Sequence, residues 1–166
     1  MAIEKVREYF KKFDIEDRIL EFDVSSATVE LAALAVGVEG ARICKTISFG
    51  DGQGGCILIQ TAGDAKVNGG KFKRAFGFKG SMLSADEALR LTGHAVGGVC
   101  AFGLPEGFVE DGTVKVYCDE SLKRFETVFP ACGSDNSAIE FTPEELFKYS
   151  QAVGWVDVCK LPEQAE

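Results

Sequence analysis

The sequence has few of the residues that bind zinc. It contains a single histidine, His94, and no two of its six cysteines stand at the Cys-x-x-Cys spacing. Tetrahedral zinc sites generally take their ligands from such closely spaced Cys and His pairs. We therefore expect no metal, and we expect no other cofactor.

Long apolar runs are also missing. No stretch approaches the roughly 20 apolar residues that span a bilayer, and the N-terminal residues 1–7 lack the apolar core of a signal peptide. The six cysteines are scattered through strand-like apolar contexts, which favours reduced thiols in a core over a disulfide framework. We expect a cytoplasmic protein that does not contact a membrane.

The chain has fewer basic than acidic residues. Eighteen Lys and Arg residues stand against 26 Asp and Glu residues, for a net charge of −8. This balance argues against broad binding to nucleic acid and predicts no DNA partner, because such binding relies on clustered cations. One basic segment, 66–79, carries four lysines and an arginine without an acidic residue, interleaved with phenylalanines. It is either a solvated face or a local contact for RNA.

Length and patterning predict one α+β domain over residues 1–166. With 46% hydrophobic residues, the chain can bury a sizeable core. We expect a mixed, mostly antiparallel, curved or barrel-like sheet with flanking helices, because strands and helices follow each other without regular alternation. The expected helices are 2–13, one from a Ser25 or Ser26 cap to Gly37, one from Asn68 through Phe76, one between Ser84 and Gly93, and one beginning at Thr142. The expected strands are 19–22, the Lys45 strand and 56–60 as an antiparallel hairpin, 113–117, 127–129, 138–141 and 155–158.

Lys45 is the most unusual residue of the sequence. It lies in an apolar, strand-like stretch, 41–49, and a buried ammonium is costly unless it has a partner or a function. The stretch 93–103 is glycine-rich and almost uncharged, so its backbone N–H groups can approach a ligand closely. Together these features indicate a pocket for a developing oxyanion. A structural lysine whose ammonium extends to the surface is the alternative.

Three motifs occur in a familiar order: Ile43–Phe49, Gly93–Val99 and Gly133–Ile139. Through them the chain resembles the YbaK-type, prolyl-tRNA synthetase-associated editing domains, from about Ser25 to Val158. The resemblance implies a YbaK-like domain that hydrolyses the ester of mischarged aminoacyl-tRNA, with tRNAPro the first candidate, and that contacts the 3′ acceptor end. An aminoacyl-tRNA synthetase or an elongation factor is a further expected partner.

The resemblance also implies site residues. The catalytic set comprises Lys45, Gly97, Gly98 and Val99. Lys45 would stabilise the oxyanion or hold the terminal phosphate, and the loop backbone would cradle the aminoacyl end. Asp135, Asn136 and Ser137 resemble the family's third pocket segment. The substrate-binding set also includes residues chosen for their place in the chain: Thr46 beside Lys45, His94 in the glycine loop, and Asp64 and Lys66, which follow the second hairpin strand and would line the tRNA approach. A direct role for Thr46 would require a bulge or an edge position, because it alternates with Lys45 along a regular strand. The polar residues 135–137 would orient an amine, a hydroxyl or water, or would simply form a turn.

A covalent mechanism is the alternative to attack by water. Cys100 could act as nucleophile with His94 as its base. Sequence proximity does not establish contact, a buried cysteine is usually inert, and no third group is evident to orient the imidazole. We favour attack by water, with His94 holding the loop or assisting proton transfer.

The chain departs from the family pattern at one position. Family members with established editing commonly carry proline in the glycine loop, as Gly-x-x-x-Pro, where this chain has Ala101. Alanine keeps the backbone donors but stiffens the loop less. Two functions therefore stay open: an editing deacylase, and a binding module for aminoacyl-tRNA, a nucleotide or a synthetase that has lost hydrolysis.

Overall fold

A computed structural model describes residues 2–162 of the chain. The helices are α1 (Ile3–Lys11), α2 (Val29–Val36), α3 (Gly69–Phe76), α4 (Ala85–Thr92) and α5 (Pro143–Tyr149). The strands are β1 (Leu20–Glu21), β2 (Ile43–Gly50), β3 (Cys56–Ala62), β4 (Lys66–Val67), β5 (Val114–Asp119), β6 (Phe129–Pro130), β7 (Ser137–Ala138), β8 (Gly154–Val156) and β9 (Cys159–Lys160). None of the helices within this range is long and apolar enough to cross a membrane.

The central sheet has five strands in the order β6-β2-β3-β5-β8. The predicted hairpin of β2 and β3 is antiparallel, whereas β6 on β2, β5 on β3 and β8 on β5 are parallel. The predicted mixed α/β fold is confirmed. Antiparallel pairing does not dominate the central sheet, because long crossovers that carry α3, α4 and α5 return the chain to the same end of the sheet.

Local capping chemistry sets most helix ends. Ser84 and Glu87 form a capping box at α4, and Thr142 and Glu145 form another at α5. Asn68 caps α3 as predicted. The cap predicted for α2 is wrong, because the Thr28 hydroxyl, rather than Ser25 or Ser26, accepts from Leu31 N at 3.1 Å.

The segment before α2 is extended because it is tied to a distant loop. The Ser26 N–H donates to the Asp135 carbonyl at 2.5 Å, which keeps this residue out of the helix. The helix still ends at Gly37, whose φ of +85° suits glycine.

Several strands are shorter than the sequence pattern predicts. The predicted strand 138–141 is divided between two partners: Ala138 pairs with Leu20 in β1, while Phe141 forms a single bridge to Val128. The predicted strand 155–158 ends at Val156, and the unpredicted β9 pairs with β4. Two-residue strands carry too little alternation to be recognised from sequence.

An aromatic core joins α1 to the rest of the domain. The Phe10 ring is fully buried, with centroid distances of 4.9 Å to Phe102 and 5.7 Å to Phe141. Phe102 lies at the end of the glycine-rich stretch 93–103 and Phe141 precedes α5, so this packing fixes one end of that stretch against the core. Each such buried ring contributes roughly 1.5–3 kcal/mol to the stability of the fold.

Candidate active site

A cavity of about 160 Å³, here called the β2 cavity, opens beside strand β2. Its walls come from the start of α2, the glycine loop 93–103 and the segment 131–138. Strand β6 accompanies β2 only as far as Cys44, and the next bridge on that edge is at Phe49. Among residues 2–162, the edge of β2 from Lys45 to Ile47 therefore has no strand partner and is open to the cavity.

Lys45 lies in this open stretch. It lines the β2 cavity, and its Nζ donates to the Gly63 carbonyl oxygen at 3.3 Å. The side chain is half-buried, and desolvation lowers the pKa of its ammonium, an effect that the nearby Asp64 carboxylate opposes. Among residues 2–162, Lys45 thus has one weak hydrogen-bond partner, which leaves its other N–H donors available to a bound anion.

The Gly63 carbonyl is held in place by tight backbone packing. A Cβ at position 63 would lie 2.0 Å from the Gly40 carbonyl oxygen and 2.9 Å from Val29 Cγ1. Only glycine fits such a close approach. Gly63 therefore positions the carbonyl that anchors Lys45, a supporting role that could not be recognised from sequence spacing.

The glycine loop contributes Gly97 and Val99 to the wall of the β2 cavity. Gly97 has a φ of +96°, a conformation that few other residues adopt. Gly98 differs from the expectation that it would supply a substrate-binding amide. Its N–H donates to the Ala95 carbonyl at 3.0 Å, and the residue is buried rather than part of the cavity wall.

Gly98 instead allows two backbone segments to touch. A Cβ on Gly98 would lie 2.8 Å from Ser134 N and 2.9 Å from the Gly133 carbonyl carbon. The glycine loop therefore packs directly on the third motif.

The third motif contributes Ser137 to the cavity wall, but not Asp135 or Asn136. The Ser137 hydroxyl lies 2.6 Å from that of Ser134. The Asn136 side chain donates to the Phe22 carbonyl at 3.1 Å, and the Asp135 carbonyl accepts from Ser26 N. Asp135 and Asn136 thus connect the segment 131–138 to the segment before α2. This is a structural role, as in the alternative that residues 135–137 form a turn and do not orient the substrate.

The sequence pattern predicts only a helix cap at Ser26, yet this residue lines the β2 cavity. Its hydroxyl is buried and has no hydrogen-bond partner among residues 2–162. Burying an unsatisfied hydroxyl costs roughly 1–3 kcal/mol. A ligand or water in the cavity would recover part of this energy. No sequence signal could have found this residue, because its environment is built by Asp135.

Three other predicted substrate residues take different positions. Thr46 lines the β2 cavity, and strand alternation places its backbone N–H and C=O on the same open edge as those of Ser48. Asp64 does not line the cavity; it forms an ion pair with Arg124 at 2.6 Å, which holds the pKa of its carboxyl below the usual value. Lys66 lies outside the β2 cavity, in β4, and is exposed.

His94 and Cys100 are close together but sealed from the cavity. Cys100 Sγ lies 3.5 Å from His94 Nε2, which is also 2.7 Å from the Phe102 carbonyl oxygen, and both residues are fully buried. Burial raises the pKa of Cys100 to about 12 and lowers that of His94. These shifts oppose a thiolate–imidazolium pair, so the geometry favours His94 as a residue that holds the loop.

The departure at Ala101 lies away from the cavity. Ala101 is buried in a separate apolar cluster with Leu58, Leu91 and Val116. The substitution therefore acts on packing behind the loop, not on the cavity wall. Within the described residues, no group of three or more His, Cys, Asp or Glu side chains could hold a metal ion.

Comparison with known proteins identifies the family. The model of the aminoacyl-tRNA editing domain matches residues 24–149, which include every wall of the β2 cavity. The chain belongs to this family. The uncharacterized protein YwhH of Bacillus subtilis (strain 168) is 51% identical over 160 residues, which are 96% of this chain and 98% of YwhH.

Solved structures agree with this membership. The hypothetical protein APE2540 is 30% identical, with a TM-score of 0.79 over 94% of this chain and 99% of its own. A protein described as a candidate trans-editing enzyme for prolyl tRNA synthetase is 27% identical, with a TM-score of 0.82 over 96% of this chain and 97% of its own. Family membership and these neighbours support aminoacyl-tRNA editing as the general function of this editing domain.

Proposed function

We propose that this editing domain hydrolyses the ester of mischarged aminoacyl-tRNA in trans, in the cytoplasm, with tRNAPro as the first candidate substrate. The observation that carries the proposal is the position of Lys45. Its ammonium is half-buried, weakly partnered and set in the wall of a small cavity at an open strand edge. Such a fixed cation suits a reaction that develops negative charge on oxygen.

The chemistry is the addition of water to an ester. The water oxygen attacks the carbonyl carbon, the bond from that carbon to the ribose oxygen breaks, and a proton from water reaches the departing oxygen. The products are the free amino acid and uncharged tRNA. Negative charge passes from the carbonyl oxygen to the ribose oxygen, and Lys45 can stabilise either one. Anchoring of the terminal phosphate by Lys45 is the alternative role.

The cavity walls have the chemistry to hold an aminoacyl group. Gly97 and Val99 bring loop backbone to one side, while Ser26 and Ser137 bring hydroxyls to another. Hydroxyls and backbone carbonyls can bind the substrate amine or orient the attacking water. The small volume favours an amino acid with a short side chain.

The tRNA itself needs contacts outside the cavity. Lys66, in the basic segment 66–79, lines a groove that Lys45 also lines, and the exposed cations of this segment can bind the acceptor strand. A net charge of −8 provides no large basic platform. We therefore propose that an aminoacyl-tRNA synthetase or an elongation factor helps to deliver the substrate.

The test is deacylation of tRNAPro charged with alanine, cysteine, serine or proline. Hydrolysis of one mischarged species, with prolyl-tRNAPro spared, is the expected result. A domain that hydrolyses none of them, even with a synthetase added, but still binds aminoacyl-tRNA would be a binding module.

Replacing Ser26 with alanine separates function from folding. We expect the rate of deacylation to fall about 10-fold, because one hydrogen bond to substrate or water is lost. We expect the melting temperature to stay level or rise, because the buried unsatisfied hydroxyl is removed. A variant of full activity would exclude Ser26 from the reaction, whereas loss of both stability and activity would indicate a structural role.

The charge state of Lys45 predicts a pH dependence. Desolvation lowers its pKa below the ordinary lysine value of roughly 10.4. Its stabilising charge is therefore present at neutral pH and is lost as pH rises through the lowered pKa. Single-turnover rates, corrected for uncatalysed ester hydrolysis, should fall in the alkaline range. Lys45→Arg should be slower throughout but lack this decline, because guanidinium stays charged. Identical profiles for the two proteins would contradict the assignment.

A further inference from the structure

A second cavity, here called the β4 groove, adjoins the β2 cavity along the same strand. Its volume is about 340 Å³. Lys45 is the only residue in the described range that lines both cavities. The substrate of an editing domain likewise consists of two parts, an aminoacyl group and a nucleoside, joined at one ester. The two cavities meet at Lys45, so one can hold the aminoacyl group and the other the nucleoside, with the ester between them at the lysine.

The floor of the β4 groove is apolar. Ile47 and Phe49 of β2 lie beside Val67 of β4 and Phe72 of α3. Phe49 and Phe72 are nearly or fully buried, with ring centroids 4.7 Å apart. The rings support the partly exposed Ile47 and Val67 from below, and these aliphatic side chains can accept the apolar face of a nucleobase.

Met82 supplies an exposed apolar side chain at the same groove. It is 68% exposed, although its backbone is firmly held opposite Phe49. Hydrogen bonds from Gly50 N to the Ser81 carbonyl at 2.9 Å and from Leu83 N to the Ser48 carbonyl at 3.1 Å tie this segment to β2. A flexible thioether on a rigid backbone can fold over a bound ring.

The rim of the groove is cationic. Lys45, Lys66 and Lys79 line it, and no acidic residue does so among those described. Lys66 and Lys79 are exposed, and neither has an ion pair among residues 2–162. In a chain with a net charge of −8, three lysines on a rim that no described Asp or Glu lines form a local anion site. Lysine binds phosphate as a point charge.

We propose that the β4 groove binds the 3′-terminal adenosine of tRNA, with its base on the apolar floor under Met82 and its 5′ phosphate between Lys66 and Lys79. The identity of the occupant rests on the proposed function. The arrangement places the ribose at Lys45, where the ester passes into the β2 cavity. Recognition is by apolar contact and charge.

The test is binding of the RNA trinucleotide CCA, measured by calorimetry, to the wild type, Met82→Asp, Lys79→Glu and Lys11→Glu. Both groove variants should weaken binding about 10-fold or more, because one loses the cover of the base and the other a phosphate contact. Lys11→Glu should bind as the wild type does. Its charge change matches that of Lys79→Glu, and Lys11 is exposed at the end of α1 and lines neither cavity. Unchanged binding in both groove variants would overturn the proposal.

Two smaller probes identify the occupant. Adenosine 5′-monophosphate should bind more weakly than CCA, and ribose 5-phosphate more weakly still. Tighter binding of the free mononucleotide than of CCA would make a free nucleotide the occupant. Equal binding of ribose 5-phosphate and adenosine 5′-monophosphate would leave only a phosphate site. Either result overturns the assignment to the tRNA end.

The binding assay does not depend on catalysis, so the two proposals can fail separately. If CCA binds through Met82 and Lys79 but no ester is hydrolysed, the groove assignment stands and the deacylase proposal fails. If deacylation proceeds while Met82→Asp changes neither CCA affinity nor the KM for mischarged tRNA, the groove assignment fails alone. Melting temperatures near that of the wild type show that the surface variants are folded.

Discussion

Lys45→Ala should lower the rate of deacylation by about 10²–10³, the usual cost of losing one preorganised donor at a developing oxyanion. The loss should fall mainly on kcat, because the charge that Lys45 stabilises is fully present only in the transition state. A phosphate anchor would behave differently. Removing it would raise KM, since the phosphate carries the same charge before and during the reaction. One substitution therefore separates the two roles left open for this lysine.

The matched control is Lys11→Ala, which removes the same charge from a surface site remote from both cavities. We expect normal rates from this variant. Stability provides a second control. The half-buried ammonium has only the Gly63 carbonyl as hydrogen-bond partner in the described chain, so its removal should not lower the melting temperature. Equal rates for Lys45→Ala and the wild type would remove Lys45 from the mechanism.

The features that could be predicted from sequence are local ones. The capping boxes at Ser84 and Thr142 act within four residues, so they identify α4 and α5 directly. The turn at 51–55 likewise predicts the β2–β3 hairpin. The cap of α2 was missed because the Asp135 carbonyl, from a distant part of the chain, determines where this helix begins.

In the candidate site, too, some residues can be recognised from the sequence and others only from the structure. Lys45 is conspicuous in sequence because an isolated cation in an apolar strand is unusual. The importance of Ser26 depends on its place in a cavity wall and on a hydroxyl that has no partner within residues 2–162, and neither can be read from residue order. Asp135, Asn136 and His94 have side chains suited to catalysis. The Asn136 and His94 side chains and the Asp135 backbone carbonyl form hydrogen bonds that hold loops in place. Residue chemistry alone does not distinguish a group that contacts substrate from one that positions its neighbours.

Gly98→Ala should be the second most damaging substitution, although Gly98 does not line the cavity. The new Cβ would lie 2.8 Å from Ser134 N, where ordinary contacts begin near 3.4 Å. The obstacle is backbone, so the glycine loop must move away from the third motif. Gly97 and Val99 would move with it, and a displacement of about 1 Å at a reacting group can cost roughly 10² in rate. We therefore expect about a 10²-fold loss of deacylation.

Gly154→Ala tests whether this loss is specific to the loop. It makes the same chemical change in a strand where the nearest heavy atom to the new Cβ is a Tyr117 ring carbon at 4.0 Å, so its rate should be normal. The decisive comparison is Gly98→Ala measured well below its own melting temperature. If the folded variant keeps its rate, the contact between the two motifs serves stability alone. If the rate falls while Lys45 is intact, position as well as charge controls the reaction, and the glycine loop acts by aligning the aminoacyl group with the lysine.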